Sequence, residues 1–287
     1  MKKTFSLFLL VFVIFTVGCN PTVFEPIIEE PDGTFQQEAT SYILPELSVK
    51  VMKTGKSDAI IIESDGRLMV IDTADKDDGA QLSAYMRSRN INSIDYLILS
   101  HLDKDHIGGA ARVIDDMRVK KLIQANYSKK SDEHDEYTAA YERHEITPLL
   151  LTSRMEFEFA GAWVTLIPAA KEEYKESNDY SIMTEITYGK HRFLFAGDAE
   201  SERLSEYLSG DVQPFDFVKM PHHGAYDDMT EKFIEVVSPT YAVITCSNDN
   251  MPDRTVLSLL QNADSKVFLT ADKYVTAITD GVELKVN

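Results

Sequence analysis

The run "SHLDKDHIGGA", from Ser100 to Ala110, places two histidines and two aspartates within six residues. It follows the apolar stretch "IDYLIL", so its polar side chains come at the end of a predicted buried strand. Histidine offers nitrogen to zinc, copper, iron or manganese, and aspartate offers a hard oxygen that favours manganese, iron or magnesium. The run therefore predicts a metal site at a strand end. Gly108 and Gly109 would let backbone approach closely where the next helix begins.

Two later stretches have the same form. "FLFAGD" places Asp198 after an apolar strand and a glycine, and "FVKMPHHG" places His222 and His223 before Gly224. Four of the seven histidines therefore lie in two motifs, each at the end of an apolar strand. This clustering favours metal binding over a purely structural role for the set.

The elements that must position these motifs are short strands with helices between them. β-rich runs and turn signals predict three strands up to Thr73, with a turn at Asp65-Gly66, and two hairpins about Gly161 and Gly189. Helical spacing predicts helices over residues 79–89, 201–208 and 255–262, and a polar helical excursion over 128–146. Strands and helices mixed along the whole length predict an α/β layered domain.

The remaining histidines carry no motif. His134 and His144 are ten residues apart in the polar excursion, so we expect solvated surface histidines. His191 is predicted to lie in the turn near Gly189.

The N-terminus predicts export. Lys2 and Lys3 precede an apolar run over residues 5–17, which is typical of a secretory signal peptide over residues 1–18. The following "TVGC" resembles the lipobox of bacterial lipoproteins, with Thr16 where leucine is usual. This resemblance implies lipidation of Cys19 and an exported lipoprotein anchored to a membrane of the bacterial cell envelope. An ordinary cleaved signal or an uncleaved anchor are the alternatives.

Residues 19–47 contain four prolines with acidic residues between them and no sustained period, which predicts a lipidated cysteine and a tether ahead of a domain over 48–287. Removal of residues 1–18 takes away two lysines and no acidic residue, so 27 basic and 47 acidic residues give a net charge of −20. Such a chain is repelled by long nucleic acid and by anionic lipid. We therefore expect contact with the membrane through the lipid anchor only. Cys246 has no partner besides Cys19, which predicts a buried, unreactive thiol.

The three motifs together resemble the metallo-β-lactamase fold superfamily, and within it the ComEC-type hydrolase domain of bacterial competence DNA-uptake channels. That branch carries H-x-D-x-D-H-x-G-G, then a strand ending in "GD", then "PHHG". Here they occur in order as "HLDKDHIGG", "FAGDAE" and "MPHHGA". The resemblance extends from about Leu47 to the C-terminus and implies a four-layer αββα sandwich.

The resemblance also implies a role for each motif residue. His101 and Asp103 would bind a first metal ion, Asp105 and His106 a second, and Asp198 would bridge them. His222 is the favoured further ligand, and Asp105 and His223 are the expected catalytic groups, with His223 facing the substrate and donating a proton. Asp72 would hold the loop beneath the metals.

The sequence departs from the superfamily in two places. The middle histidine, expected near "ESNDYSI", is missing, and Asn178 and Asp179 are the only stand-ins there. The His-Pro that often follows a late strand is Met251-Pro252. Both losses reduce the ligand set, so one or two divalent ions of manganese, zinc or iron are expected.

The function predicted from these features is metal-dependent hydrolysis by activated water, most simply of a phosphodiester, as in a phosphodiesterase or nuclease. The acidic composition and the lack of a basic stripe favour a small or short phosphodiester over long DNA. Opening of a lactam or lactone is disfavoured, because Asp103 stands where zinc β-lactamases have histidine. A surface-tethered binding protein that holds little metal is the alternative from another class.

Overall fold

The computed structural model describes residues 44–287. The predicted signal peptide, Cys19 and most of the tether therefore lie outside the described residues. Within them the chain forms 17 strands: β1 (Leu47–Val51), β2 (Ile60–Ser64), β3 (Arg67–Ile71), β4 (Ser93–Ile94), β5 (Tyr96–Leu99), β6 (Arg118–Val119), β7 (Leu122–Ala125), β8 (Leu149–Leu151), β9 (Met155–Phe159), β10 (Ala162–Ile167), β11 (Met183–Tyr188), β12 (His191–Phe195), β13 (Phe217–Lys219), β14 (Tyr241–Ile244), β15 (Lys266–Leu269), β16 (Val275–Thr279) and β17 (Leu284–Val286).

Seven α-helices occur in the same part of the chain: α1 (Asp78–Ser88), α2 (Lys104–Ile107), α3 (Ala110–Asp116), α4 (Asp132–Arg143), α5 (Ser201–Leu208), α6 (Thr230–Val237) and α7 (Arg254–Asn262). The same part of the chain contains two 3-10 turns. Ser177–Tyr180 precedes β11, and Pro221–Gly224 follows β13. No helix in residues 44–287 combines the length and apolarity that a membrane crossing requires.

Two large mixed sheets form the centre of the domain. The first has the strand order β17-β16-β1-β2-β3-β5-β7-β8, and β3, β5, β7 and β8 run parallel. The second has the order β15-β14-β13-β12-β11-β10-β9, and β12 to β15 run parallel. Each sheet therefore has a group of parallel strands whose carboxyl ends lie at one edge.

Three apolar clusters hold the layers together. The first lies between the sheets and includes Ile62, Ile98, Phe193 and Phe195, all almost fully buried. The second packs the first sheet against α1, α3 and α4, and the third packs the second sheet against α5, α6 and α7. The order helix, sheet, sheet, helix confirms the predicted four-layer αββα sandwich.

Most predicted elements appear where the hydrophobic pattern placed them, but His191 does not lie in a turn. It is the first residue of β12, and 8% of its surface is exposed. Its Nε2 lies 3.1 Å from the carbonyl oxygen of Val282, because β12 begins directly after the two-residue turn at Gly189 and packs against the C-terminal hairpin. The turn is shorter than the sequence suggested.

Candidate metal centre

The parallel strands bring the separated motifs together. In the first sheet Asp72 follows β3, and the run from Ser100 to His106 follows β5. In the second sheet Asp198 follows β12, and the 3-10 turn Pro221–Gly224 follows β13. Because the carboxyl ends of parallel strands gather at one edge, residues that are more than 100 positions apart meet between the sheets.

Asp105, His106, Asp198 and His223 form the central cluster, with ligand atoms that all lie within 4.8 Å of one another. The Nε2 of His223 lies 3.0 Å from Asp198 Oδ2 and 3.5 Å from Asp105 Oδ2, and the Nε2 of His106 lies 3.2 Å from Asp198 Oδ1. Only the Asp105 side chain, 26% exposed, reaches solvent appreciably. Two imidazoles and two carboxylates at such spacing match a site for zinc, manganese or iron.

The hydrogen bonds behind His106 and His101 fix their tautomers. Asp72 accepts at 2.8 Å from Nδ1 of His106 and at 2.7 Å from the hydroxyl of Ser100. Since that hydroxyl donates to Asp72, its oxygen accepts from Nδ1 of His101, 3.1 Å away. In the neutral form of each imidazole Nε2 is therefore the unprotonated nitrogen, which is the form that binds a metal.

His223 is held in the same way by a chain from the other side. The Thr245 hydroxyl donates to Oδ1 of Asp58 at 2.6 Å, and Nδ1 of His223 lies 2.8 Å from the Thr245 oxygen. A carboxylate only accepts, so Thr245 is the donor to Asp58 and the acceptor from His223. In the neutral ring the unprotonated nitrogen of His223 is then Nε2, which faces the two cluster carboxylates.

Buried polar atoms without partners support the assignment of a metal. Nε2 of His101, His106 and His223 and Oδ1 of Asp198 are all buried and make no well-aligned hydrogen bond within the described residues, although His106 and His223 face Asp198 at 3.2 and 3.0 Å. Leaving a buried polar atom unpaired costs roughly 1–3 kcal/mol, so a group of four requires an explanation. A divalent cation satisfies lone pairs of this kind, and the residues present therefore fit the metal that the motifs predicted.

The charges around the cluster favour a cation. Burial opposes a charged imidazole, but the Asp198 and Asp72 carboxylates hold the pKa of His106 well above its usual range. Burial likewise opposes a charged Asp198, yet His223, His106 and Lys219 hold its pKa well below normal. Burial, followed by the neighbouring His106, lowers the pKa of His101 to about 3. The carboxylates that favour protonated imidazoles also attract a metal ion, which would replace those protons.

Three expected ligands, His101, Asp103 and His222, are not members of the cluster, although the His101 ring centroid lies 4.0 Å from that of His106. Asp103 forms an ion pair with Lys129 and accepts a hydrogen bond of 2.9 Å from the Ser177 hydroxyl. His222 lies 3.2 Å from Oε1 of Glu200 through Nδ1, and its side chain is 28% exposed. His222 and His223 have φ values of 44° and 52°, and this left-handed backbone sends consecutive side chains in different directions. The structure thus brings His223 into the cluster instead of His222.

Neither stand-in for the missing middle histidine reaches the cluster. Asp179 accepts hydrogen bonds of 3.1 Å from the backbone N–H groups of Glu200 and Arg203, at the start of α5. Asn178 donates to Glu200 at 2.7 Å. These residues orient the loop that borders the site, and neither of them replaces the histidine.

Three glycines give the motif loops their close contacts. A Cβ on Gly109 would lie 2.3 Å from the carbonyl oxygen of Thr73, and one on Gly108 would lie 2.4 Å from that of Lys104. Gly197 has a φ of 53° and lies against Ser181 and Ser100, which no larger residue would allow. The close backbone approach predicted at Gly108 and Gly109 is therefore present. The loop that carries Asp198 depends on a third glycine, Gly197.

Sequence reasoning missed Asp58 and Lys219, which lie directly beneath the cluster. The two form a fully buried ion pair between the sheets, and Lys219 Nζ also lies 3.5 Å from Asp198 Oδ1 and donates to the carbonyl of Gly197 at 3.1 Å. The sequence does mark both residues as charges in apolar surroundings. Lys219 lies within the strand "DFVKMP", and Asp58 comes directly before "AIII". Such charges require a buried partner, but the sequence does not show which one.

Comparison with known proteins agrees with the fold and the motifs. Residues 52–247 match the family described as the metallo-beta-lactamase superfamily, and the chain belongs to that superfamily. It is 28% identical over 202 residues to ComE operon protein 3 of Bacillus subtilis, an alignment that covers 66% of this chain and 25% of that protein. It is 22% identical over 235 residues to Recombination protein 2 of Haemophilus influenzae, covering 79% of this chain and 28% of that protein. The chain thus spans about a quarter of the length of these relatives.

Two solved structures share the fold at low sequence identity. The metallo-beta-lactamase fold protein YhfI from Bacillus subtilis is 10% identical, with a TM-score of 0.53 over 82% of this chain and 100% of that one. CmlA, a diiron β-hydroxylase from Streptomyces venezuelae, is 13% identical, with a TM-score of 0.54 over 81% of this chain and 54% of that one. At these identities the likeness concerns the fold alone.

Proposed function

We propose that this protein is a metal-dependent hydrolase of small or short phosphodiesters. The observation that carries the proposal is the convergence of Asp105, His106, Asp198 and His223, with ligand atoms within 4.8 Å of one another and buried imidazole nitrogens that make no well-aligned hydrogen bond. A divalent ion held there polarises the phosphoryl group and lowers the pKa of a water molecule. The expected metals stay manganese, iron or zinc, because the donor set mixes imidazole with carboxylate.

The protein's own residues would orient and neutralise the reacting groups. Asp72 and Asp58 fix the imidazoles of His106 and His223 through hydrogen bonds, the latter by way of Thr245. The buried ammonium of Lys219 offsets the carboxylate charge beneath the cluster. His222 is left as the partly exposed histidine beside the cluster, so we assign to it the proton exchange with substrate that the sequence had assigned to His223.

The substrate class follows from charge. A phosphodiester carries a negative charge, which a metal ion and the nearby lysines compensate locally within an acidic protein. The net charge of −18 for the whole chain opposes long nucleic acid, which supports a small or short substrate. Resemblance to a competence protein supports phosphodiester chemistry. Hydrolysis of a lactam or lactone is the alternative activity, and an assay must distinguish the two.

The experiment compares matched histidine variants after removal and replacement of the metal. The stripped protein is reloaded with manganese or zinc and assayed on bis(4-nitrophenyl) phosphate, short oligonucleotides, a β-lactam and a lactone. We expect phosphodiester cleavage that His223→Ala abolishes together with bound metal, whereas His222→Ala retains the metal and reduces the rate. A folded, metal-loaded protein that cleaves only the lactam or lactone, or nothing at all, would contradict the proposal.

We also propose that the chain is anchored to the cell envelope through a lipid on Cys19, at the end of the acidic, proline-rich tether. The test is metabolic labelling with a fatty acid in the native protein and in Cys19→Ser. We expect label and membrane association in the native protein only. An unlabelled native protein released as soluble chain would contradict the anchor.

A further inference from the structure

The first metal position of the superfamily has fewer ligands in this chain than the superfamily pattern provides. The segment in which the sequence expects the missing middle histidine is the 3-10 turn Ser177–Tyr180. Instead of a ligand, this turn sends the Ser177 hydroxyl to Oδ2 of Asp103, at 2.9 Å. The turn therefore binds a residue that the superfamily pattern would give to the metal.

The other oxygen of Asp103 is held by a lysine. Lys129, four residues beyond the end of β7, pairs with Oδ1 of Asp103 and donates to Ser177 Oγ at 3.2 Å. The pair is largely shielded from water, with side-chain exposures of 30% for Lys129 and 23% for Asp103. Both carboxylate oxygens are thus engaged, and the negative charge of Asp103 is already balanced.

The two metal positions are therefore unequal. The position of Asp105, His106, Asp198 and His223 has four ligands, whereas the superfamily pattern leaves only His101 and a share of Asp198 to the first position when Asp103 is held by Lys129. Zinc sites have three or four protein ligands, so two are too few to hold an ion there tightly. Asp103 would raise the number to three, but only if it left Lys129.

We propose that the ammonium group of Lys129 takes the place of the first metal ion, so that the centre holds one tightly bound divalent ion per chain. This inference rests on the metal centre proposed above and deepens it. An ammonium has three N–H donors, and two of them are used by Asp103 and Ser177. The third is left for an anionic oxygen of the substrate, the group that a first metal would otherwise bind.

Metal stoichiometry tests the inference without any substrate. The whole protein is stripped with a chelator and titrated with manganese, and bound metal is counted by calorimetry and by elemental analysis. The variants are Lys129→Met and a matched control, Lys130→Met, in which the neighbouring exposed lysine is replaced. We expect one tight equivalent in the native protein and in the control. Lys129→Met should bind a second, weaker equivalent, since Asp103 then completes a set of three ligands.

A second pair of variants keeps the test decisive if Lys129→Met does not fold. Asp103→Asn should keep its tight equivalent with an affinity within tenfold of native, whereas Asp105→Asn should lose roughly 100-fold or more. Two tight equivalents in the native protein, or equal losses in Asp103→Asn and Asp105→Asn, would overturn the inference. A folded Lys129→Met that still binds only one equivalent of manganese would also overturn the inference. A folded native protein that binds no manganese would instead refute the metal centre itself.

Discussion

Replacement of Lys219 by methionine tests the charge balance beneath the cluster. Methionine has a similar length and no charge, so the variant removes the ammonium with little change in packing. In the native protein this ammonium pairs with buried Asp58 and lies 3.5 Å from Asp198 Oδ1. Burial alone would lower the pKa of Lys219, but Asp58 and Asp198 together raise it, so the group is charged at neutral pH.

The size of the effect follows from the carboxylates that remain. Two unit charges 3.5 Å apart, the distance between Lys219 Nζ and Asp198 Oδ1, attract by about 5 kcal/mol at an effective dielectric constant near 20. Desolvation of the groups offsets part of this gain. Removing one partner leaves Asp58 and Asp198 buried without that counter-charge. We therefore expect Lys219→Met to lose about 3–5 kcal/mol of unfolding free energy. A domain stable by about 5–15 kcal/mol would still fold.

The assay is urea unfolding of the metal-free proteins at pH 7, followed by circular dichroism. Asp58→Asn and the double variant complete a cycle, because asparagine keeps the acceptor for Thr245 and removes the charge. The double variant should lose less than the sum of the two single variants. A loss below about 1 kcal/mol in Lys219→Met, or strict additivity in the cycle, would show that the buried ammonium does not stabilise the fold through Asp58.

Two further predictions concern stability away from the ion pair. Burial, followed by Asp75 and Asp77, raises the pKa of Asp78 to about 6, so its carboxylate destabilises the fold as the pH rises from about 4 to about 6. Asp78→Asn should therefore be more stable than native by up to about 1 kcal/mol at pH 8, after allowance for solvent screening, and equal to native at pH 3 in urea titrations. An equal gain at both pH values would contradict this. Gly109→Ala should lose roughly 1–3 kcal/mol, because its Cβ would lie 2.3 Å from a backbone oxygen, whereas in Gly210→Ala the nearest contact is 3.4 Å. Equal melting temperatures for the two variants would show that the contact of Gly109 with the Thr73 carbonyl oxygen is not tight.

Much of the fold could be predicted because the elements have strong local signals. Apolar runs ending in "HLDKDH", "FAGD" and "PHHG" identified β5, β12 and β13 and the edge at which they meet. The turn at Asp65-Gly66 and the hairpins about Gly161 and Gly189 also lie where the glycines placed them. Local pattern sufficed because each of these features depends on residues adjacent in the chain.

The pairing of isolated charges could not be predicted in this way. Asp58 and Lys219 are separated by about 160 residues, and only the packing of one sheet on the other brings them together. Lys129 pairs with Asp103 because the loop after β7 returns over the site, and no motif marks that lysine. The choice between His222 and His223 depended on two left-handed backbone conformations, which sequence pattern does not specify at non-glycine residues.

The most direct test of the central claim is an anomalous diffraction measurement on crystals of the stripped protein soaked with manganese. We expect one strong peak per chain, at bonding distance from Asp105, His106, Asp198 and Nε2 of His223. A peak bonded to Asp103 or His222, or no peak in crystals of folded protein at millimolar manganese, would contradict it.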